Sequence, residues 1–484
     1  MSNGNAIEAA PNAKRLLWAG FMAILAAGVG FGIRGGILGE WGKQFGFTQT
    51  ELGQITGGGL TGFGLIILLG ALVADKIGYG KLMIFAFIMH LASAILTLAA
   101  TPIYAASGKD AAYKCLYWGM FLFAVGNGTC EAVVNPLVAS LFRKNKTHYL
   151  NMLHAGWPAG LVLGGLISAF MVGHVRWEIP MTLFMIPVIF YGLMCIGQSF
   201  PKSEASVHGV KLMTMIAEFA SPLLLVLLLA HAMLGYVELG TDSWIGNITG
   251  NILASAQNGL FLFVYTSALM FVLRFVAGPI VEKISPLGLL FVGACCSALG
   301  LTLIGHAESA MYVVIAATIY GIGKTFLWPT MLAVVSERFP KGGAVTIGAM
   351  GGIGMLSAGL LGGPGIGYNQ DYFASKDLQD KAPAVYDQYK SPSTDGFLFF
   401  PKIQGLDGSK VGPIREIPAD KRTPDQAKVH DADLLGGRMA LRMTAAIPAT
   451  MAFLYLLILI YFKAKGGYKQ VHIEGVGRAA QETA

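Results

Sequence analysis

The sequence predicts an all-α integral membrane protein with twelve transmembrane helices in two pseudo-symmetric six-helix bundles. Three observations predict it. Hydrophobic residues make up 54% of the 484 residues and charged residues only 13%, about half the charge of a soluble domain. The apolar residues gather in runs of about 20, the length a helix needs to cross a bilayer. The cations alternate between crowded and sparse loops, the pattern that sets membrane orientation. These figures exclude a disordered chain, a disulfide-stapled secreted module and an ordinary soluble enzyme. The net charge of +7 does not signal a nucleic-acid partner, because the cations sit in short loops and form no basic face.

The first six runs are 15–39, 52–74, 81–101, 115–141, 151–173 and 179–199. The second six are 218–242, 258–281, 287–306, 311–336, 344–363 and 440–462. They are too long for barrel strands and lack strict alternation. The polar N-terminus and the length of the first run argue against a cleavable signal. The expected organisation is an N-terminal bundle over 1–199, a polar linker over 200–217 and a C-terminal bundle over 218–484. With the N-terminus cytoplasmic, the inside segments hold sixteen Lys and Arg, from Lys14 to Arg478. The short outside loops hold four, Lys43, Lys109, Lys114 and Arg176. Both termini are therefore expected inside. Residues 364–439 form an outside insertion rich in Asp, Pro, Gly and Tyr with no spanning run. It reads as a surface insertion or as a lid over the outer mouth. The five cysteines, Cys115, Cys130, Cys195, Cys295 and Cys296, show no metal spacing and read as small buried hydrophobes.

An ionisable side chain at membrane depth costs at least about 2.5–3.5 kcal/mol, so each one needs a reason. Glu131 falls near the middle of the fourth run. It reads as a proton carrier or substrate acceptor, or else as half of a fixed ion pair. Arg34 lies in the outer half of the first run among glycines. Its planar fork grips carboxylate or phosphate; the alternatives are pairing with Glu131 or snorkelling outward. Counting residues sets the two on the order of 15 Å apart along the membrane normal. Lys324 sits at the centre of the tenth run, too deep to snorkel, facing either substrate or Glu238. Glu238 lies towards the outer end of the seventh run and is a further substrate candidate, with Asp242 beyond it at the interface. Asn127, Asn135 and Asn151 read as hydroxyl ligands or as helix–helix glue. Trp157 and Trp328 read as platforms for a sugar ring or as packing. His154 reads as a proton relay or as a packing histidine. No Walker loop, HExxH or His/Cys cluster appears, so neither ATP drive, a metal, a cofactor nor a catalytic residue is expected.

After the second run the chain reads Gly70-Ala-Leu-Val-Ala-Asp75-Lys-Ile-Gly78-Tyr-Gly-Lys81, a tight turn with an acid at a helix end and a cation beyond. A looser copy follows the eighth run, from Arg274 through Gly278 to Lys283. Glycine allows close helix approach, and the charges can lock one side of a two-bundle protein shut. This repeated loop resembles the signature of the major facilitator superfamily, and two sixes joined by a cytoplasmic linker agree. A finer resemblance lies in Glu131-Ala-Val-Val-Asn135-Pro136, Leu150-Asn151-Met-Leu-His154, Tyr236 to Trp244, and Gly321-Ile-Gly323 with Pro329-Thr330. These segments are similar to the fucose/glucose/galactose/nucleoside proton symporter group. Two departures stand out: Arg34 occupies about the place of that group's first-helix aspartate, and Lys324 replaces a small or neutral residue. The resemblance implies proton-coupled alternating access for a small polar solute, foremost a sugar. Sodium is the lesser alternative to the proton. Glu131 and Arg34 would be the coupling pair, and Asn127, Asn135, Asn151, His154, Trp157, Glu238, Lys324 and Trp328 the substrate candidates. Gly70, Asp75, Gly78, Lys81, Arg274 and Gly278 would form the gate. The added cations leave open an organic anion, such as a sugar acid or sugar phosphate. A non-transporting sensor on the same fold is the other alternative. The expected partners are the substrate, the coupling ion and the lipid bilayer of a bacterial inner membrane, with a monomeric chain.

Overall fold

A computed structural model describes residues 11–45, 49–392, 394 and 396–473. Arg478 and the two ends of the chain lie outside the described residues. The first half folds into α1 (Ala13–Phe45), α2 (Gln49–Ile77), α3 (Tyr79–Leu98) and α4 (Lys109–Leu141). The fifth span is divided between α5 (Lys146–His154) and α6 (Gly156–Met171), and the sixth ends in α7 (Met185–Cys195). In the second half the seventh span is α8 (Pro222–Gly235), a π turn over Tyr236–Gly240 and α9 (Thr241–Ile252). Then come α10 (Ala256–Arg274) and α11 (Ala277–Ile304). The tenth span comprises α12 (Ala310–Thr325) and α13 (Leu327–Arg338). The eleventh comprises α14 (Gly343–Ser357), a π turn over Ala358–Gly362 and α15 (Gly363–Lys381).

Among the described residues, eleven helical stretches are long and apolar enough to cross a membrane. The helix at the expected eighth span, α10, is not one of them. It has 19 residues, opens on polar Gln257 and Asn258 and closes on Arg274. Ser285, at φ 65°, breaks α11 just before Pro286, so its apolar part starts where the ninth span was expected.

Small residues set how closely the helices pack. Gly28 and Gly32 of α1 face Gly160 and Gly164 of α6, two G-x-x-x-G stretches in register. A Cβ on Gly28 would come within 2.9 Å of the Gly160 Cα, and one on Gly164 within 2.9 Å of the Gly32 Cα. In the second half the two π turns cross, and a Cβ on Gly240 would lie 2.7 Å from the Gly362 Cα. Not every cysteine is buried: Cys295 is exposed on α11, and Cys195 and Cys296 are half-buried.

The 364–439 segment is not the structureless insertion the sequence suggests. Helix eleven runs on through α15 to Lys381. Helix twelve starts far earlier than expected, as α18 (Pro424–Ala464), with Thr423 and Gln426 forming a capping box. Between them α16 (Pro383–Tyr389) and α17 (Gly408–Glu416) form a cap. Its own apolar cluster joins Leu378, Val385, Tyr386, Val411, Ile414 and Val429. Arg415 of α17 binds Asp433 of α18 through two hydrogen bonds of 2.8 and 2.7 Å, and Asn251 of α9 donates to the same carboxylate at 3.2 Å. That network fixes the cap to the second bundle.

Candidate functional site

The two bundles meet along α2–α14, α6–α10 and α5–α13. The end of the molecule that carries both described termini is closed by contacts between them. Lys146 donates to the Ser336 carbonyl at 3.2 Å, the Thr147 hydroxyl to Glu337 at 3.3 Å, and Asn151 to the Thr330 hydroxyl at 3.2 Å. The segment after α18 folds back over this seam. Tyr468 donates to Glu337 at 2.7 Å, the Val471 amide to the Glu337 carbonyl at 2.9 Å and Gln470 to the Arg143 carbonyl at 3.0 Å. Burial and the Glu337 carboxylate push the Tyr468 phenol well above its ordinary value, so it stays a donor.

At the opposite end a cavity of about 1080 Å³ opens between the bundles. The glycine face of α1 (Gly32, Gly35, Gly36) lines one wall, and Asp242, Asn247 and Asn251 of α9 the other. Arg415, Glu416 and His430 of the cap and α18 form its roof.

Between the cavity and the closed end lies a buried polar network. Asn135 of α4 donates to Glu131 Oε2 at 2.6 Å, and its Oδ1 is 2.8 Å from His154 Nε2. His154 Nε2 also stands 4.0 Å from Glu131. These side chains are nearly fully buried. The network crosses to the second bundle through Arg274, whose guanidinium donates to the His154 carbonyl, to the Thr325 carbonyl at 2.8 Å and to Glu238 at 3.1 Å. Lys324, fully buried, donates to Asp242 at the edge of the cavity. Glu238 lies within the π turn, which rotates the helix locally and aims the carboxylate at Arg274. Burying either cation unpaired would cost several kcal/mol, which is why both are held by carboxylates.

Arg34 is not the partner of Glu131. It is buried inside the first bundle, donating to Ser93 at 3.0 Å and the Gly30 carbonyl at 3.3 Å, with its guanidinium 3.8 Å from the Phe123 ring centre and 4.7 Å from that of Phe184. Cation–π contact replaces a counter-ion there. Arg274 does not belong to the gating loop but to the centre of the network. Lys324 pairs with Asp242 rather than Glu238, which makes Asp242 more than an interfacial residue. Asn127 turns away from the bundle interface to His90 at 2.9 Å, and His90 also meets Tyr191 at 2.9 Å. Trp328 packs on His231 with ring centres 4.6 Å apart. Trp157 packs against Phe31 at 5.4 Å, its Nε1 without a partner among the described residues. In the loop expected to gate, Asp75 accepts from Ser203 at 2.8 Å and from Tyr79 at 3.3 Å. Gly78 takes φ 93° and so needs glycine. Gly278 sits against His148 of the first bundle: a Cβ there would reach its Nδ1 at 2.8 Å. A Cβ on Gly70 would reach that of Ala132 at 2.9 Å.

Sequence reasoning missed the roof residues Arg415 and His430. They lie in a polar segment, where charge carries no penalty and so gives no signal. Among the described residues no group of three His, Cys, Asp or Glu could hold a metal.

Residues 20–363 match the Major Facilitator Superfamily. A cis,cis-muconate transport protein of Acinetobacter baylyi is 22% identical over 377 residues, 72% of this chain and 88% of that protein. The structure is similar to FucP, a superfamily transporter solved in the outward conformation, with a TM-score of 0.64, 15% identity and coverage of 91% of this chain and 98% of that one. It is also similar to the human organic anion transporter MFSD10, with a TM-score of 0.59, 11% identity and coverage of 92% and 100%. The chain is a multi-pass membrane transporter, not an enzyme, and belongs to the major facilitator superfamily.

Proposed function

We propose that the protein is a proton-coupled transporter of a small carboxylate anion, working by alternating access with both termini in the cytoplasm. The observation that carries this is the charge of the buried network. Glu131, Glu238 and Asp242 supply three carboxyls against the two cations Arg274 and Lys324, and only Glu238 and Asp242 are held by them. With every group ionised the network has an excess of one negative charge and repels an anion. A proton on Glu131 makes it neutral, so anion and proton favour one another's binding. That mutual preference is the coupling free energy of a symporter. Lys324, buried behind Asp242 at the cavity edge, is the cation a substrate carboxylate would reach by displacing Asp242. Muconate, the solute named for the Acinetobacter relative, is a dicarboxylate. Asn135, Asn151, His154 and Trp157 lie at or beside the bundle interface and would meet the rest of the solute.

A second reading is a neutral sugar. Both cations are already satisfied by protein carboxylates, which leaves amide and ring groups to bind hydroxyls. The structural likeness includes the E. coli fucose:proton symporter. A thermal-shift screen of the purified protein separates the two, because a ligand stabilises the folded state by mass action. Stabilisation by dicarboxylates that strengthens as pH falls supports the anion reading. Stabilisation by hexoses with none by dicarboxylates replaces it with the sugar reading.

A further inference from the structure

We propose that the loop Phe397–Lys402 of the cap is a membrane anchor that inserts Leu398 and Phe399 into the interface of the outer leaflet. Leu398 is 67% exposed, Phe399 86% and Phe400 46%. Three adjacent large apolar side chains exposed on a loop in water are costly, and this loop is built to hold them out. Leu398 takes φ 50°, a left-handed conformation that a branched side chain adopts only when its surroundings impose it. The imposing structure is an aromatic bracket. Phe397 and Phe400 stack with ring centres 6.2 Å apart, Tyr368 of α15 lies 6.1 and 5.8 Å from them, and its hydroxyl donates to the Pro401 carbonyl at 2.8 Å. The bracket fixes the base of the loop; at the tip Phe399 stacks on its neighbour Phe400, ring centres 4.7 Å apart, and still keeps 86% exposure.

The position of the loop identifies what covers the tip. Phe397 and Ile403 share a cavity of about 670 Å³ with Thr56 and Leu60 of α2, so the loop lies level with the outer turns of a membrane-spanning helix. On that helix Leu65 and Leu69 are 48% and 59% exposed, as is Leu360 of helix eleven at 56%. These are lipid-facing side chains. Tyr368 follows Leu360 by eight residues, about 12 Å along the helix, which sets the bracket at headgroup depth. Aromatic side chains concentrate at this depth. Exposed Lys402 beside them can reach lipid phosphate while its stem stays on the apolar side. The anchor would hold the cap, and with it the roof residues Arg415 and His430, at a fixed height above the cavity.

The test uses the full chain in phosphatidylcholine nanodiscs. A Phe399→Trp variant should add blue-shifted emission, relative to the unmodified protein, that is quenched by lipids brominated near the headgroup end of the chain. Added emission that is red-shifted, quenched by aqueous acrylamide and indifferent to bromine would overturn the proposal. Photo-crosslinking gives a second reading, with p-benzoylphenylalanine placed at position 399 and, separately, at the exposed cap residue Asp420. A lipid adduct at 399 alone supports the anchor. An adduct to a second protein chain at 399, or lipid adducts at both positions, would overturn it. Neither readout depends on which solute is carried.

Discussion

Glu131 has one neutral donor at 2.6 Å, one imidazole at 4.0 Å, and no stronger cation within ion-pair distance among the described residues. A proton can therefore come and go there without first breaking a salt bridge. Glu131→Gln imitates the protonated form. The variant should keep substrate counterflow but lose accumulation driven by a pH gradient, as measured in proteoliposomes. Loss of counterflow together with accumulation would instead make Glu131 a substrate ligand. Glu238 is a different case, because Arg274 depends on it. Glu238→Gln leaves a buried guanidinium without its carboxylate and should lower folding stability by about 3–5 kcal/mol, seen as a large drop in the thermal transition. Replacing both partners with well-packed apolar residues should recover most of that stability and none of the transport. The buried charges were legible in the sequence, because charge inside an apolar run stands out. Their pairing was not. Residue counting gives height along a helix but not which way a side chain points, and at 3.6 residues per turn a small phase error turns it to another neighbour. Arg34 has about the height expected of it but points into its own bundle.

Among the elements, the glycine crossings define how close the helices come. Gly240 and Gly362 bring the two π turns together. Gly240→Val should overpack this crossing by about 1–3 kcal/mol and displace Glu238 in the same turn, so the thermal transition and transport should fall together. Gly108, with open space around it at φ 78°, is a contrasting site, where substitution strains only a loop. The cap has its own apolar cluster and is joined to the transport bundle through Arg415, Asp433 and Asn251. Replacing 382–423 with a short flexible linker should leave α15 and α18 paired and the protein folded. Substrate KM should rise, because the roof over the cavity is lost. An unchanged KM would limit the cap to a structural role. Hydropathy made the spanning helices visible, but it hid the helical character of the cap, whose helices bury only one narrow face. The overlooked signal was local: Thr423, Pro424 and Gln426 form a helix start that an averaged apolar window passes over. The breaks in spans five, seven, ten and eleven were not legible either, because polar residues such as His154, Glu238 and Lys324 beside them read as site candidates and not as helix breaks.

For the whole molecule, the all-helical membrane-spanning fold followed from run counting, since it follows directly from the length rule of a bilayer. The state of the gates did not, because it depends on contacts between residues far apart in the chain. The structure is closed at the end that carries its termini and hollow at the other. The returning segment Tyr468–Val471 strengthens the closed seam. Changing Tyr468→Phe together with Gln470→Ala removes two of its links and should shift the population towards opening at that end. Spin labels on Lys144 and Lys341, one on each bundle, would report this as a new, longer distance component. A distance distribution identical to that of the unaltered segment would contradict a latch role.

In the proposed mechanism, protonation of Glu131 and binding of an anion are one coupled event. The most direct test is proton flux in proteoliposomes loaded with a pH-sensitive dye, with no imposed gradient, when a dicarboxylate such as muconate is added outside. The unmodified protein should acidify the interior and Glu131→Gln should not, although the variant still exchanges the labelled solute. Equal acidification by both proteins, or solute entry with no acidification by either, would contradict that mechanism.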